Sequence, residues 1–334
     1  MIKIYMVKMT SIFTIALCAI LTSLSVNAAG LKPSEITVAY LQQWPTPNRC
    51  AQAKMIFDEV LGLKVNWVAF ANGTEMTAAM ASGEVQIAYA QGQLPFLVGI
   101  SGGIDLSMVA IAVSYPENDN CVLRDDLGIT RVNAIQLAGR KIAIQVGSIT
   151  HYRLLKILDH LGLDSTEVKI LPMPDDDASA YALEQGYVAM ACASGSALRS
   201  MYGSGKPLMT GAELEAIGLR LFDIVTVPTR FTIEHPEIVQ AFIDVTEASN
   251  KQWLIHPESM QAVIASASGL SLEDSELVMQ DLDFPLAEEQ KSNAWMNGLV
   301  PAYIKDLAEY FVEQGQLDKS LDSYDRFIST RFLR

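Results

Sequence analysis

Cysteine, histidine and the motifs of common catalytic sites are scarce in this chain of 334 residues. It has four cysteines and four histidines, and they are not grouped with the spacing of a zinc site. Walker and dinucleotide-binding motifs are also missing, which counts against the nucleotide-binding and dehydrogenase classes. The sequence therefore predicts no metal and no cofactor, and it favours a binding protein over an enzyme.

Basic residues are few as well. The chain has 24 lysines and arginines against 38 aspartates and glutamates, for a formal net charge of −14. Such a balance disfavours nucleic acid or an anionic membrane as a partner. Half of the residues are apolar, and no repeat or long low-complexity tract interrupts the chain. We therefore expect it to fold throughout.

A long apolar run occurs only at the N-terminus. Lys3 and Lys8 precede the apolar residues 12–26, which end next to the small-residue sequence Val-Asn-Ala. Residues 1–28 are therefore predicted to be a cleaved secretion signal, which places the mature protein in the periplasm. The alternative, a membrane anchor, needs about 20 apolar residues, and polar residues interrupt this segment.

The order of predicted elements indicates two α/β lobes. A chain of about 300 residues usually forms two cores. Short β-rich runs alternate with helical patterns up to Pro228, and beyond it the pattern is almost wholly helical. The predicted boundaries are 29–123 with 228–334 for a discontinuous lobe I, and 124–227 for lobe II. Ligands of such sheets bind at the carboxyl ends of strands, so we expect the site in a cleft between the lobes.

Three cysteines follow the predicted signal. An oxidising compartment favours one disulfide and one thiol among Cys50, Cys121 and Cys192. Cys192 lies in the apolar run 188–193, which predicts a buried thiol. Cys50 and Cys121 are then the candidate disulfide, and three unpaired cysteines are the alternative.

The loop 147–152 is predicted to connect a strand to a helix. Backbone N–H groups at a helix start lack partners within the helix and favour anions, so Ser148 and Thr150 are candidates to bind a sulfonate, carboxylate or phosphate. The alternative is that one of them only caps the helix. His151 follows on the first turn, where packing is the competing role.

Asp223 and Trp44 are candidates for the opposite end of a ligand. Asp223 begins the apolar strand that returns to lobe I, and its carboxylate suits an ammonium group, although a solvated strand end is the alternative. Trp44 lies between prolines and, with Tyr89 and Tyr115, could form an aromatic cage for an alkylated ammonium. Surface packing is the competing role for this tryptophan.

Polar loops at other strand ends supply further candidates. Gln93 follows one predicted strand, and Asn118 and Asn120 lie in the polar loop 117–120. Asn and Asp are also ordinary turn residues. The acidic run 175–177 resembles a metal site only weakly, because carboxylates at a helix start usually complement the helix dipole.

Five segments of the mature chain are similar to one known family. They are ASGEVQI at 81–87, LAGRKIA at 137–143, THYRLL at 150–155, HPEIVQAF at 235–242 and SYDRFISTRF at 323–332. On these segments the chain resembles the taurine and alkanesulfonate periplasmic binding proteins of ATP-driven importers, particularly the taurine-binding branch. The resemblance implies the type II periplasmic-binding-protein fold, closure of the lobes around the ligand, an anion contact from the 148–151 loop and an amine contact from Asp223.

Two stretches depart from the pattern of that family. Gly-Gln-Leu-Pro at 92–95 stands where relatives often have Gly-Ser-Ser-Pro, and Ala-Ser-Gly-Ser at 193–196 stands where they often have Val-Trp-Ala-Pro. Ser194 is the candidate contact in the second stretch, and Trp44 is the candidate replacement for the missing aromatic wall. These changes leave the expected fold in place and affect the identity of the ligand.

The predicted function is therefore that of a monomeric binding protein for taurine or a related amino-sulfonate, with an inner-membrane permease and its ATPase as partners. A betaine-like quaternary amine held by an aromatic cage is the close alternative. An enzyme of the thiamine-precursor type on the same fold is the alternative from a different class, and no matching catalytic motif supports it.

Overall fold

A computed structural model describes residues 32–41 and 44–334. The predicted secretion signal lies outside these residues. In the part of the chain that is described, no helix is both long enough and apolar enough to cross a membrane.

Ten strands form two five-stranded sheets in the described residues. The strands are β1 (Glu35–Leu41), β2 (Lys64–Phe70), β3 (Ile87–Gln91), β4 (Leu106–Ser114), β5 (Asp119–Arg124), β6 (Lys141–Ile144), β7 (Lys169–Pro172), β8 (Met190–Ser194), β9 (Gly205–Pro207) and β10 (Phe222–Pro228). The first sheet has the order β2-β1-β3-β10-β4 and the second has the order β7-β6-β8-β5-β9. The pairs β1–β2, β1–β3, β6–β7 and β6–β8 are parallel, whereas β10 is antiparallel to both of its neighbours and β5 is antiparallel to β8. Two mixed α/β sheets agree with the predicted fold class.

Helices cover both sheets and make up most of the chain after β10. They are α1 (Asn48–Ala53), α2 (Ile56–Leu61), α3 (Gly73–Ser82), α4 (Gln93–Ser101), α5 (Ile149–His160), α6 (Asp176–Glu184), α7 (Gly195–Met201), α8 (Gly211–Ala216), α9 (Thr229–Glu234), α10 (Pro236–Ile255), α11 (Gln261–Ser268), α12 (Leu272–Met279), α13 (Ala287–Gln290) and α14 (Leu299–Glu313). The prediction of an almost wholly helical tail is therefore confirmed. Helices α1 and α2 are separate because Met55 adopts a left-handed backbone conformation between them.

Buried strands at the centre of the first sheet explain its packing. Every residue of β3 and β4 is buried, as expected for strands that helices cover on both faces. Strand β10 lies between them and buries Ile224, Val225 and Val227 completely. The central strands therefore hold the polar residues at their ends in fixed positions.

The chain changes sheet at two connections. It leaves the first sheet after Ser114 and enters the second at Asp119, and it returns between Pro207 and Phe222. The boundaries predicted at 123/124 and 227/228 lie at the far ends of β5 and β10, which already belong to the new sheet. We propose instead that lobe II spans residues 115–221 and that lobe I comprises 32–114 with 222–334.

The disulfide prediction is wrong. Cys121 is bonded to Cys192, and Cys50 is a buried free thiol in α1. The physical reason is strand pairing, because Cys121 and Cys192 face each other directly across the antiparallel strands β5 and β8, where opposite side chains lie close together. The sequence reasoning missed this pair because β5 was not predicted as a strand.

Candidate functional site

Polar residues at strand ends of both sheets interact with one another. Tyr115 bonds Asp223 and lies within electrostatic range of Asp119, and Tyr303 lies within that range of Asp119 and Arg153. Gln93 and Asp223 come from the first sheet's edge, and Asp119 and Thr150 come from the second. Antiparallel strands such as β5 and β10 begin at the edge where their parallel neighbours end, so their first residues reach the same place. We call the following residues the polar cluster: Gln93, Tyr115, Asp119, Thr150, Arg153, Asp223 and Tyr303.

Asp223 is a buried carboxylate of the first lobe. Its Oδ1 accepts a hydrogen bond of 2.9 Å from the hydroxyl of Tyr115, whose ring lies 5.1 Å from that of Trp44. Burial raises the pKa of Asp223 to about 7, and the hydrogen bond from Tyr115 only partly opposes this effect. Among the described residues the carboxylate therefore has no positive partner, and a cationic ligand would supply one.

Gln93 is the first residue of α4 and is fully buried. Its Oε1 accepts a hydrogen bond of 3.2 Å from Tyr303 of α14, and its Nε2 has no hydrogen-bond partner among the described residues. A Cβ at Gly92 would lie only 3.7 Å from Asp223 Oδ1, which places the start of α4 beside that carboxylate. The predicted residues Gln93 and Asp223 therefore lie together.

Asp119, Thr150 and Arg153 form the second lobe's part of the polar cluster. The hydroxyl of Thr150 donates to Asp119 Oδ2 at 2.5 Å, and Arg153 Nη1 donates to the backbone oxygen of Asp119 and lies 3.4 Å from its Oδ1. Burial raises the pKa of Asp119, while Arg153 and Thr150 oppose the effect. Thr150 is therefore near the predicted site, but its hydroxyl already binds a protein carboxylate.

Ser148 and His151 are held by protein groups. Ser148 is the N-cap of α5, since its hydroxyl accepts from the backbone N–H of His151 at 3.0 Å and donates to Gln145 O at 2.8 Å. Nδ1 of His151 lies 3.2 Å from the backbone nitrogen of Gly147 and 2.8 Å from the hydroxyl of Tyr310. Ser148 therefore caps α5, which is the role that the sequence analysis gave as its alternative.

Gly147 is required in this loop. Its φ is +82°, and a Cβ there would lie 2.6 Å from the side-chain nitrogen of Gln316. Gln316 donates a hydrogen bond of 2.6 Å to the backbone oxygen of Gly147. Only glycine adopts this conformation without steric cost, so the start of α5 can contact the segment that follows α14.

Asn118, Asn120 and Ser194 also have protein partners. Asn120 donates to Met209 O at 2.9 Å and accepts from the backbone of Cys121 at 2.8 Å. The hydroxyl and backbone nitrogen of Ser194 both donate to Asp176 Oδ2, at 2.6 and 2.9 Å. Asn118 is half-buried and lines a cavity of about 330 Å³ beside α7 and α12. Ser194 pairs with Asp119 across β5 and β8, and the backbone nitrogen of Asn118 donates to Tyr115 O at 3.1 Å, so these residues adjoin the polar cluster through the backbone while their side chains bind other groups.

The acidic run 175–177 has structural roles. Asp175 caps α6 through the backbone nitrogen of Ala178, and Asp176 binds Ser194. No group of three or more His, Cys, Asp or Glu residues could hold a metal within residues 32–41 and 44–334.

Sequence reasoning missed two charged or aromatic members of the polar cluster. Arg153 lies three residues after Thr150 and therefore on the same face of α5, which is the signal that could have identified it. Tyr303 comes from the helical tail, and no local pattern in the sequence indicates that its hydroxyl reaches Gln93.

The comparison with known sequences gives two matches that bear on this site. Residues 46–260 match the family described as NMT1/THI5 like. The chain is also 27% identical over 322 residues to the taurine-binding periplasmic protein of Escherichia coli (strain K12), covering 94% of this chain and 98% of that protein.

Solved structures show the fold. The periplasmic aliphatic sulphonate binding protein SsuA from Escherichia coli aligns with a TM-score of 0.67 at 19% identity, over 87% of this chain and 96% of that one. The desulfurization enzyme DSZB aligns with a TM-score of 0.60 at 17% identity, over 89% of this chain and 97% of that one. The type II periplasmic-binding-protein fold is therefore confirmed, and the same fold also occurs in an enzyme.

Proposed function

Because the chain belongs to the NMT1/THI5-like family, we propose that it is a periplasmic solute-binding protein that captures taurine or a related small amino-sulfonate. It hands this ligand to an inner-membrane permease driven by an ATPase. The taurine-binding protein that it resembles over nearly its whole length supports this assignment. We also propose that it acts as a monomer after removal of residues 1–28.

The buried carboxylate of Asp223 is the observation that carries the proposal. It is only 4% exposed, it lies where the two sheets face each other, and its recorded hydrogen bond comes from the neutral hydroxyl of Tyr115. A buried carboxylate without a cationic partner costs free energy, which a ligand ammonium group would recover. This property fits an amino-sulfonate better than a sulfonate without an amine.

We favour binding over catalysis on the composition of the polar cluster. It contains no cysteine and no histidine, two residue types that often serve as nucleophile and base. The free thiol of Cys50 is buried in α1, and His151 Nδ1 is engaged by Gly147 and Tyr310. Neither Cys50 nor His151 therefore supports the enzyme alternative.

A quaternary amine is the second candidate ligand. The rings of Trp44 and Tyr115 lie 5.1 Å apart beside Asp223, and two aromatic faces with a carboxylate can hold an alkylated ammonium. Tyr89, the third predicted member of this cage, instead directs its hydroxyl toward the backbone oxygen of Ala112 at 3.4 Å.

A thermal-shift panel tests the proposed function. Taurine, hypotaurine, homotaurine, isethionate and glycine betaine are each added to the mature protein. A ligand that binds only the native state stabilises it by about 2.7 kcal/mol at 100 times its Kd, so we expect taurine to raise the melting temperature most. A rise with glycine betaine and none with any sulfonate would replace the amino-sulfonate by the quaternary amine.

A further inference from the structure

Arg153 carries the least satisfied charge of the polar cluster. Its side chain is 1% exposed, and both Nε and Nη2 lack a hydrogen-bond partner among the described residues. Its recorded contacts use Nη1 alone, which meets the backbone oxygen and Oδ1 of Asp119. An unmade hydrogen bond to a buried group costs about 1–3 kcal/mol, and more for a charged one. The structure thus contains a buried cation whose donors are only partly used.

The two unpaired nitrogens have a specific geometry. Nε and Nη2 lie on the same edge of the planar guanidinium group, and their N–H bonds point in nearly parallel directions. This edge matches two oxygens of a carboxylate, sulfonate or phosphate, which accept a bidentate pair of hydrogen bonds. Protein acceptors occupy the opposite side of the same group, so the guanidinium is held in place while this edge makes no hydrogen bond among the described residues.

The charge of Arg153 is also incompletely balanced. Asp119 is the carboxylate that touches it, at 3.4 Å, and Asp119 shares its other oxygen with Thr150. Glu215 also acts on Arg153 electrostatically, but it is paired with Arg220 at 3.3 Å. A second anion beside Arg153 would therefore be favourable.

We infer that the Nε–Nη2 edge of Arg153 is the subsite for the ligand's anionic group, and that it selects for sulfonates and carboxylates over neutral ligands. This inference rests on the proposed function. It moves the anion contact one turn along α5 from the predicted 148–151 loop, where Ser148 and His151 are engaged by protein groups. Arg153 comes from the second sheet's lobe and Asp223 from the first sheet's lobe. A zwitterion that reached both residues would contact both lobes.

Calorimetry on two arginine variants tests the inference. Arg153→Lys keeps the positive charge without the two-donor edge, and Arg153→Gln removes the charge. We expect a 10- to 100-fold loss of affinity in the first variant and a larger loss in the second, for taurine and isethionate alike. Arg124→Gln is the matched control, because Arg124 lies on the same lobe and binds Asp126 and Gly186 at the far end of β5. Its affinities should change less than twofold.

The ratio of the taurine affinity to the isethionate affinity distinguishes this anion subsite from the subsite for the amine. Both ligands carry the sulfonate, so the taurine-to-isethionate ratio should stay the same in Arg153→Lys. Unchanged taurine affinity in Arg153→Lys would overturn the inference, provided that the wild-type protein binds taurine. If the wild-type protein binds none of the anionic ligands, the proposed function itself fails.

A measurement on the wild-type protein covers the case in which the variants do not fold. With ¹⁵N-labelled arginine, the Nε–H signal of Arg153 is expected to shift on addition of taurine or isethionate and to stay in place with ethanolamine, which lacks the anion. The signal is assigned by comparison with the other arginine variants, Arg124→Gln included. If no arginine Nε–H signal moves under saturating taurine, the inference is contradicted.

Discussion

Asp223 is the residue at which charge recognition can be measured most directly. Asp223→Asn keeps the shape of the side chain and removes the charge. If the carboxylate pairs with the ligand's ammonium group, the substitution costs about 2–5 kcal/mol of taurine binding, since it leaves a buried cation unpaired. Isethionate has a hydroxyl in place of the amine, and its affinity for the variant should fall much less. An unchanged taurine-to-isethionate ratio, measured by calorimetry, would place amine recognition elsewhere, with the Trp44 loop as the next place to test.

The same carboxylate predicts the pH dependence of binding. Its pKa of about 7 in the ligand-free protein exceeds the usual value of about 3.9, so protonation stabilises the folded state below pH 4. This contribution is lost as the pH rises through 7. An ammonium ligand needs the ionised carboxylate, and taurine should therefore bind about tenfold more weakly at pH 6 than at pH 8. Isethionate and the Asp223→Asn variant should show little of this dependence, and equal slopes for both ligands would contradict the assignment.

The sequence predicted those site residues that lie at the ends of elements. Gln93, Thr150 and Asp223 were identifiable because each begins or adjoins a predicted strand or helix, and such ends meet at one edge of a sheet. Tyr303 could not be found in this way, because its approach to Gln93 depends on how the tail packs against α4. The roles of Ser148 and Ser194 likewise depend on contacts that a local pattern does not contain.

Strands β5 and β8 carry the disulfide as a cross-strand pair. We expect peptide mapping without reduction to recover Cys121 linked to Cys192 and Cys50 as a free thiol. Replacing both paired cysteines by serine should lower the free energy of unfolding by about 2–4 kcal/mol, because the crosslink closes a long loop in the unfolded chain. Cys50→Ser in the buried thiol is the comparison variant. Recovery of Cys50 in a linked peptide would refute the pairing.

Helices α5 and α14 form a polar contact between the two lobes. Asp306 of α14 accepts from the hydroxyl of Tyr152 and pairs with Lys156, both at 2.6 Å. If this contact stabilises the ligand-bound arrangement, Asp306→Ala should weaken all ligands by the same factor, roughly three- to tenfold, because Asp306 makes no hydrogen bond to the charged members of the polar cluster.

Glu309→Ala is the control for that prediction. Glu309 pairs with Lys305 within α14 and does not cross to the other lobe. Its ligand affinities should match the wild type in calorimetry. A change in the taurine-to-isethionate ratio in Asp306→Ala would show that Asp306 acts on the site itself instead of on closure.

At the scale of elements, the alternation of strands and helices was predictable from the sequence, whereas the pairing of β5 with β8 was not. Strands such as β1, β6 and β10 have apolar runs bounded by polar residues, and this pattern makes such strands recognisable in the sequence. Strand β5 begins with Asp119 and Asn120, residue types that usually indicate a turn, and its pairing with β8 overrides that preference. Because this one strand was not predicted, Cys121 was paired with Cys50 instead of Cys192. For the same reason the first lobe boundary was predicted after β5 and not before it.

At the scale of the whole molecule, the C-terminal segment packs against the first sheet and α10. Ile328 bridges to Met108 of β4, Tyr324 and Phe332 are buried, and Gln240 of α10 donates to the backbone oxygen of Phe332 at 2.9 Å. The segment 323–332, on which part of the family resemblance rests, therefore completes the core of the first lobe. The last residues of the chain are thus part of the same lobe as the first strand.

The position of β10 determines the order in which the two halves of the protein can form. All of the strands of the second sheet are contiguous in sequence, so that sheet can assemble as soon as residue 207 is available. The first sheet cannot, because β10 separates β3 from β4. Until residues 222–228 insert, the backbone edges of both neighbours are exposed, and such edges are prone to pair with other chains. The first sheet therefore cannot be completed before residues 222–228 are available, and until then its unpaired edges are the ones that need protection.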